Sequence, residues 1–559
     1  MTKDTVIEAL EEMATLLELA GENPFKVRAF QRGAQVLGSL TEPLAEAVER
    51  GTLKALPGIG KGLFEDIAVL VRTGQLPALE ALRAATPEGV REMLEVPGLG
   101  TKKVRALRDG LGIGSVGELE YAIGENRLLT LSGFGPATQA KLGAAIAMWK
   151  RNRGLRLLAD VLPAATRLVD ALSEQLPQAK VALVGNLRRR CETVAEVRLL
   201  VAGTTAAEFR GALRASALVE AGEAGETLVG LPIRLEESAP EAWGARLVWT
   251  TGSPEWLGAL SERATSRGLS LDAAGLRRGG QPVEIPTEEA LFEALGLPRQ
   301  APERWETAAM LAGPDADALV KEGDLQGAFH VHTSATDGTA TLREMVLRAR
   351  ELGWRYIGIS DHSEAAFYAR GLDRDRIRAQ QAEIAALNAE FDDITVLSGI
   401  EADILADGRL DYDDETLASF DFVIGSVHSR FGQDAEAMTK RLITALSHPR
   451  LTMLGHLSGR LLLAREPYGF DLEAVFAAAV AHGKAMELNA NPHRLDLDWR
   501  HLARARELGI PIAINPDAHS LDGLEDLQWG VAMARKGGLT AADVLNTVPA
   551  AALRSKMGR

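Results

Sequence analysis

Six short segments beyond residue 328 each read as a strand that stops at a histidine or a carboxylate: Phe329–His332, Tyr356–His362, Leu397–Glu401, Phe422–His428, Met453–His456 and Ile512–His519. Most are apolar runs bounded by Gly or Pro, and the stretch after each has helical periodicity. Strand and helix alternating in this way predict parallel strands, and a parallel α/β barrel gathers the carboxyl ends of its strands on one face. The chain is therefore expected to bring six ligand-bearing strand ends into one site.

The histidines show what that site is for. All ten lie beyond residue 329, an asymmetry that even scatter would give with a chance of roughly 10⁻⁴. A single Asp-His or Gly-His at a strand end is more often a cap or a core residue; six such segments in one stretch point to metal. His330 and His332, two apart, face the same way on an extended chain and can share one ion. Mn²⁺ and Zn²⁺ both accept a mixture of imidazole and carboxylate. His448, His482 and His501 lie in helix-like or loop contexts and are read as structural. So, on balance, is His493, although it stands near Asn489 and Asn491, where it could reach a substrate.

Residues 328–559 resemble a PHP (polymerase and histidinol phosphatase) domain, with its His-x-His, following acid, Asp-His, Glu, His, Gly-His and Asp-x-His. Carried over, the resemblance implies the ligand set His330, His332, Asp337, His362, Glu401, His428, His456, Asp517 and His519. It further implies up to three divalent ions, Mn²⁺ or Zn²⁺, in a phosphoesterase site. Glu401 would be the bridging carboxylate, and Glu401, Asp517 and His428 the catalytic residues. Ala328, where an acid is common, and Leu457, where a proline is common, are departures from the pattern.

Three turns in the first half suggest what the phosphoester belongs to. Leu56-Pro-Gly58-Ile-Gly60-Lys61, Val96-Pro-Gly98-Leu-Gly100-Thr101 and Leu131-Ser-Gly133-Phe-Gly135-Pro136 are copies of one turn between helical segments. They resemble helix-hairpin-helix motifs, in which glycines admit a phosphate to the backbone and the next helix N-terminus offers free N–H groups. Such contacts hold a DNA backbone without reading its sequence. Lys61, Lys102 and Lys103 follow two of the turns. The whole chain carries a net charge of −15, which argues against indiscriminate nucleic-acid binding, but residues 101–200 hold 16 Lys and Arg against 9 Asp and Glu. Arg151, Arg153 and Arg156, then Arg188, Arg189 and Arg190, dominate that stretch and are read as a DNA track.

The order of these parts resembles that of bacterial family X DNA polymerases. The fold expected from it is multidomain: all-α helix-hairpin-helix domains, an α+β nucleotidyltransferase-like palm and thumb, and a C-terminal α/β, distorted (β/α)7 PHP barrel. The resemblance gives a lyase-type helical domain at 1–80, fingers at 81–155, palm at 156–235, thumb at 236–310, a linker at 311–327 and the barrel at 328–559. Where family palms carry three catalytic Asp, this chain aligns Glu196, Arg198 and Arg234, and Pro254-Glu255-Trp256-Leu257 replaces a nucleotide-binding stretch. A divalent ion about 4 Å from one guanidinium meets a repulsion of roughly 8 kcal/mol at an effective dielectric near 20, so a degenerate polymerase site is expected. Gly62 and Asp66 stand where lyase-active relatives place a lysine, so no imine-forming nucleophile is carried over.

With 46% hydrophobic and 25% charged residues, the composition suits several globular units and gives no disorder bias. The single cysteine, Cys191, excludes an internal disulfide and fits a reducing compartment. Met1-Thr-Lys-Asp opens an amphipathic helix rather than a signal peptide, and no apolar run is long enough to span a membrane, so a cytoplasmic, nucleoid-associated protein is expected. The expected function is DNA repair: Mn²⁺-dependent 3′–5′ exonuclease activity, with abasic-site cleavage as a further activity, on gapped, single-stranded or abasic DNA. The alternatives are a gap-filling polymerase with residual Mn²⁺-supported synthesis, a small-molecule phosphatase of the histidinol-phosphatase type and a non-catalytic DNA-end scaffold.

Overall fold

The computed structural model describes residues 3–40, 42–222 and 225–556. The opening helix is seen from Lys3; Met1 and Thr2 lie outside the described residues. The chain forms two compact units, Met1–Arg153 and Gly154–Arg559. Among the described residues no helix is long and apolar enough to cross a membrane.

Among its described residues the first unit has helices and no strand, with one core built on Leu10, Phe30 and Ile67 and another on Met93, Leu107 and Leu142. Each repeated Gly-x-Gly turn feeds a helix: Lys61–Thr73, Thr101–Leu111 and Pro136–Asn152. The intervening Ile59, Leu99 and Phe134 are buried and pin each turn to the core. The two glycines differ. Gly58, Gly98 and Gly133 have φ of +107°, +79° and +86°, the left-handed region that a side chain penalises. Gly60, Gly100 and Gly135 are helix N-caps with φ near −75°, open to any residue, and a Cβ on any of them would meet nothing within 4 Å. No side chain caps these helices, so their first N–H groups face outward.

In the second unit a five-stranded sheet, Lys180–Val184, Val197–Ala202, Leu231–Glu237, Gly225–Leu228 and Glu220–Gly222 in that spatial order, packs on the helix Leu158–Gln175. It is followed by the helices Trp243–Thr251, Pro254–Thr265 and Glu288–Leu295 around a three-stranded sheet. Trp256 is fully buried there and stacks on Trp305 at 4.9 Å, so Trp256 and Leu257 of the Pro-Glu-Trp-Leu stretch are core while Pro254 and Glu255 are exposed. Residues 311–327 do not behave as the expected linker. Leu319 and Val320 are buried, and the Val320 N–H donates to the Leu539 carbonyl at 3.0 Å, because this apolar pair is stabilised by lying down on the barrel.

Seven parallel strands in sequence order make the barrel: β1 (Gly327–Ala328), β2 (Tyr356–Ile359), β3 (Thr395–Asp403), β4 (Phe422–Ser426), β5 (Met453–Leu454), β6 (Ala485–Asn489) and β7 (Ile512–Asn515). It closes just past the strand ends, where His332 N–H donates to the Ala518 carbonyl at 2.9 Å. A helix follows every strand, and six of the seven begin at a Thr or Asp whose side chain caps them: Thr341, Asp373, Asp413, Asp434, Asp471 and Asp498.

The two-residue period of the strands sorts the barrel interior into layers. Phe329, Tyr356, Leu397, Phe422, Met453, Ala485 and Ala513 fill its floor. Two residues further along β2 and β3 come Gly358 and Gly399, where a Cβ would collide with the Phe422 ring. Two further still, on β3, comes Glu401. β3 thus climbs from apolar to small to ligand on one face, Leu397 to Gly399 to Glu401, while Val396, Ile400, Val423, Met486 and Ile512 pack outward against the helices.

Candidate metal centre

The carboxyl end of the barrel brings the sequence-predicted ligand set together. Donor atoms of His332, Asp337, His362 and His519 form one group, those of His330, His332 and Asp517 a second, and those of His362, Glu401 and His428 a third. Within each group the atoms lie within 4.8 Å of one another. His332 and His362 each serve two groups. The ninth residue, His456, lies outside all three but places Nε2 3.0 Å from Glu401 Oε1. Glu401 is the hub: Oε1 also lies 3.3 Å from His330 Nε2 and 3.2 Å from His428 Nε2, and Oε2 lies 2.9 Å from His362 Nδ1.

Burial makes this crowding costly unless charges balance. Burial alone would raise the Glu401 carboxyl, but His428, His330 and His362 overcome it and hold Glu401 well below the usual carboxylate range. Burial likewise opposes the charged form of His362, yet Glu401 and Asp337 bring it up to about 10. His332 goes the other way, to about 3, driven by burial and then by the His519 and His362 rings. Several buried donors still lack a partner of hydrogen-bonding geometry: His330 Nε2, both nitrogens of His332, His362 Nδ1, His456 Nδ1 and Glu401 Oε2. Buried lone pairs that converge without partners are what a divalent cation satisfies, so these residues fit the metals the family pattern implies.

A surrounding shell orients the rings, and the sequence reading did not name it. Glu487, fully buried, accepts from His330 Nδ1 at 2.6 Å with one oxygen and from the His456 N–H at 2.6 Å with the other. Asp403 lies 2.5 Å from His428 Nδ1. In both histidines Nε2 is thereby left facing Glu401. The signal was period two: Asp403 follows Glu401 by two residues, and Ala485, Glu487 and Asn489 share one face of β6. Arg494 also enters, its Nε 3.2 Å from Asp517 Oδ2, while the neighbouring His493 is exposed. His448 pairs with Asp414 at 3.1 Å, outside the site.

Four family patterns match: a helix-hairpin-helix domain at residues 1–76, a SAM-like helix-hairpin-helix tandem at 90–142, a DNA polymerase beta thumb at 246–305 and a PHP domain at 328–491. The chain is 34% identical over 562 residues to the "DNA polymerase/3′-5′ exonuclease PolX" of Bacillus subtilis, covering 98% of this chain and 97% of that one. It belongs to the family X DNA polymerases that carry a PHP domain. The barrel alone is similar to shorter proteins: a probable phosphatase of Thermoanaerobacter sp. (26% over 229 residues, 39% of this chain and 89% of that protein) and one of Caldicellulosiruptor saccharolyticus (30% over 207 residues, 34% and 78%).

The three residues aligned with the expected polymerase acids form one cluster. Arg198 and Arg234 are register partners on adjacent parallel strands, and Glu196 lies between them, 3.7 Å from the Nε of each. Arg198 also pairs with Glu236 at 2.7 Å. The cluster neutralises itself with protein charge.

The arginine run Arg188–Arg190 does not form the expected DNA track. Arg188 reaches Glu288 at 2.5 Å and lies over the Trp305 ring. Arg189 is buried on Glu306 at 3.1 Å and on the Thr251 carbonyl. Arg190 is largely buried near Glu303 and Glu322. Three guanidiniums in sequence read as a solvated face only if the chain turns them outward; here a short helix and the left-handed residue Arg190, φ +56°, turn them into the junction of palm, thumb and barrel. Arg153 and Arg156 do remain exposed, Arg153 paired with Glu92. Of the hairpin lysines, Lys61 and Lys102 are exposed, and Lys103 donates back to the Gly98 carbonyl at 2.8 Å.

Proposed function

We propose that this protein is a DNA-repair nuclease: a Mn²⁺-dependent 3′–5′ exonuclease whose active site is the barrel and whose helix-hairpin-helix unit holds the DNA backbone. The observation that carries the reading is the convergence of nine donor residues on shared, unpartnered lone pairs in a buried site. His330, His332 and Asp517, then His332, Asp337, His362 and His519, then His362, Glu401 and His428 would each hold an ion, with His456 completing the shell of Glu401. When bound, such ions supply an activated water and Lewis-acid stabilisation of the oxygens entering and leaving phosphorus. The chain's own residues fix the stage: Glu487 and Asp403 set which ring nitrogens face inward, Glu401 spans the groups, and Arg494 presents positive charge beside Asp517, where a phosphate oxygen would be attracted. The activity for which the Bacillus subtilis relative is named supports both the substrate and the polarity. The three capless helix N-termini, each behind a glycine that the fold does not demand, support the DNA backbone as ligand.

Polymerase activity is read as lost, since Glu196 is the one carboxylate left at the aligned positions and it is occupied by Arg198 and Arg234. The test is a metal-dependence assay of the stripped protein on labelled single-stranded, duplex and abasic DNA, beside a primed template with nucleotides. Mn²⁺ should restore 3′–5′ degradation, Glu401→Ala should abolish both cleavage and bound metal, and the primed template should not be extended in Mg²⁺. Cleavage that survives Glu401→Ala would remove the site from the barrel. A phosphatase reading is favoured by the barrel-only relatives, and turnover of a small phosphomonoester without any on DNA would select it.

A further inference from the structure

Two large aromatic side chains stand in solvent at the mouth of the metal centre. Phe367 is 85% exposed and Tyr368 67%, on the loop that leaves β2 just after His362. Tyr368 lies with its ring 5.8 Å from that of His362 and 6.2 Å from that of His428, both in edge-to-face arrangement. One side of the ring therefore borders two candidate ligands, and the rest is open.

The loop is built to hold these rings out. Its base is pinched shut: Leu372 N–H donates to the His362 carbonyl at 2.9 Å, and Gly371 lies so close to the Ser363 carbonyl that a Cβ would collide with it. The Glu364 N–H donates to the Tyr412 hydroxyl at 3.1 Å and the Ala365 N–H to Asp411 Oδ2 at 3.0 Å. The Arg370 guanidinium donates across to the Thr336 carbonyl. Ala366 and Ala369 are buried as the loop's feet. A loop this well anchored that leaves its two largest apolar groups in water forgoes their burial, which is the mark of a surface kept for a partner.

We propose that Phe367 and Tyr368 form a stacking platform for a nucleobase at the 3′ end of the strand being degraded, positioning the terminal phosphodiester over the metal centre. Every base has a π-face, so such a platform grips any sequence, and aromatic stacking is worth about a factor of ten or more in binding per base. The proposal rests on the nuclease reading for its choice of strand end.

The test varies both the base and the rings in the full-length protein. With Mn²⁺, wild-type kcat/KM on a single-stranded oligonucleotide should fall about ten-fold when the 3′-terminal residue is replaced by an abasic tetrahydrofuran. In Phe367→Ala with Tyr368→Ala that preference should vanish, while Phe367→Trp with Tyr368→Phe, which keeps the rings, should retain it. A preference of equal size in the alanine pair would overturn the platform. Binding is read separately from the fluorescence of a 3′-terminal 2-aminopurine, which stacking quenches. If wild type quenches it, the alanine pair does not and no oligonucleotide is cleaved, the platform stands and the nuclease reading falls. Absence of quenching by wild type sinks the platform whatever the hydrolysis shows, and would assign the exposed rings to a protein partner.

Discussion

Asp403 and Glu487 do at the residue scale what the nine donors cannot do alone. An imidazole offers two nitrogens, and which of them faces inward is set by what holds the other. With Asp403 2.5 Å from Nδ1 of His428, the ring is fixed in the orientation that turns Nε2 to Glu401. Asp403→Asn keeps the shape and loses the charge that favours Nδ1–H. The expected result is a 10- to 100-fold loss of metal affinity, read as a raised Mn²⁺ requirement for cleavage, with full activity regained at excess Mn²⁺ and with KM for DNA unchanged. A loss that excess metal does not repair would make Asp403 a structural residue.

At the scale of the element, the hairpins separate two jobs that the sequence pattern joins. The first glycine of each serves the turn and the second serves whatever approaches the helix N-terminus. Gly58→Ala places a side chain at φ +107°, with Cβ at 3.0 Å from the Arg32 side chain, and should lower stability by about 1 kcal/mol. Gly60→Val enters open space at φ −75° and should leave the thermal midpoint nearly unchanged. DNA binding should respond to Gly60→Val all the same, because a phosphate held by the outward N–H groups of Lys61–Thr73 has no room beside a β-branched side chain. Equilibrium binding to a single-stranded oligonucleotide alongside thermal unfolding would decide it; unaffected binding would leave the second glycine without a ligand.

On the scale of the whole molecule, palm, thumb and barrel share one body. The Lys536 ammonium, on the last barrel helix and fully buried, donates to Glu306 at 2.5 Å and to the Arg189 carbonyl at 2.9 Å. Glu306 in turn holds Arg189 and accepts from the Cys191 thiol at 3.2 Å. Burial pushes that thiol up, so the one cysteine is a quiet structural group. Glu192 adds Trp499 at 2.9 Å and Arg500 at 3.1 Å. Glu306→Gln strands two buried cations and should cost about 3 kcal/mol in chemical denaturation, whereas adding Lys536→Met, which removes one of them, should recover part of that loss. Independent unfolding of palm and barrel in the wild type would contradict this. The part of the chain that carries Arg189, Cys191 and Glu306 serves here as a wall of the barrel.

How much of this was legible beforehand follows from how local each signal is. The barrel and its strand ends could be read because a strand's two-residue period and a His-x-His spacing are properties of neighbouring residues, while the full donor set, Asp337 included, came only with the family resemblance. The hairpins could be read for the same reason. Glu487 and Asp403 carry that period too, but a buried carboxylate among apolar residues shows no partner until another strand supplies His330 or His428. The fate of Arg188–Arg190 was decided further away, by Glu288, Glu306 and Trp305 about a hundred residues on, and so was the settling of residues 311–327 onto the barrel. By itself the sequence determined which chemistry the chain carries, because donor types and their spacing are local. Which charges face solvent and which are spent inside was decided by tertiary structure alone, because desolvation and ion pairing depend on residues that only folding brings together.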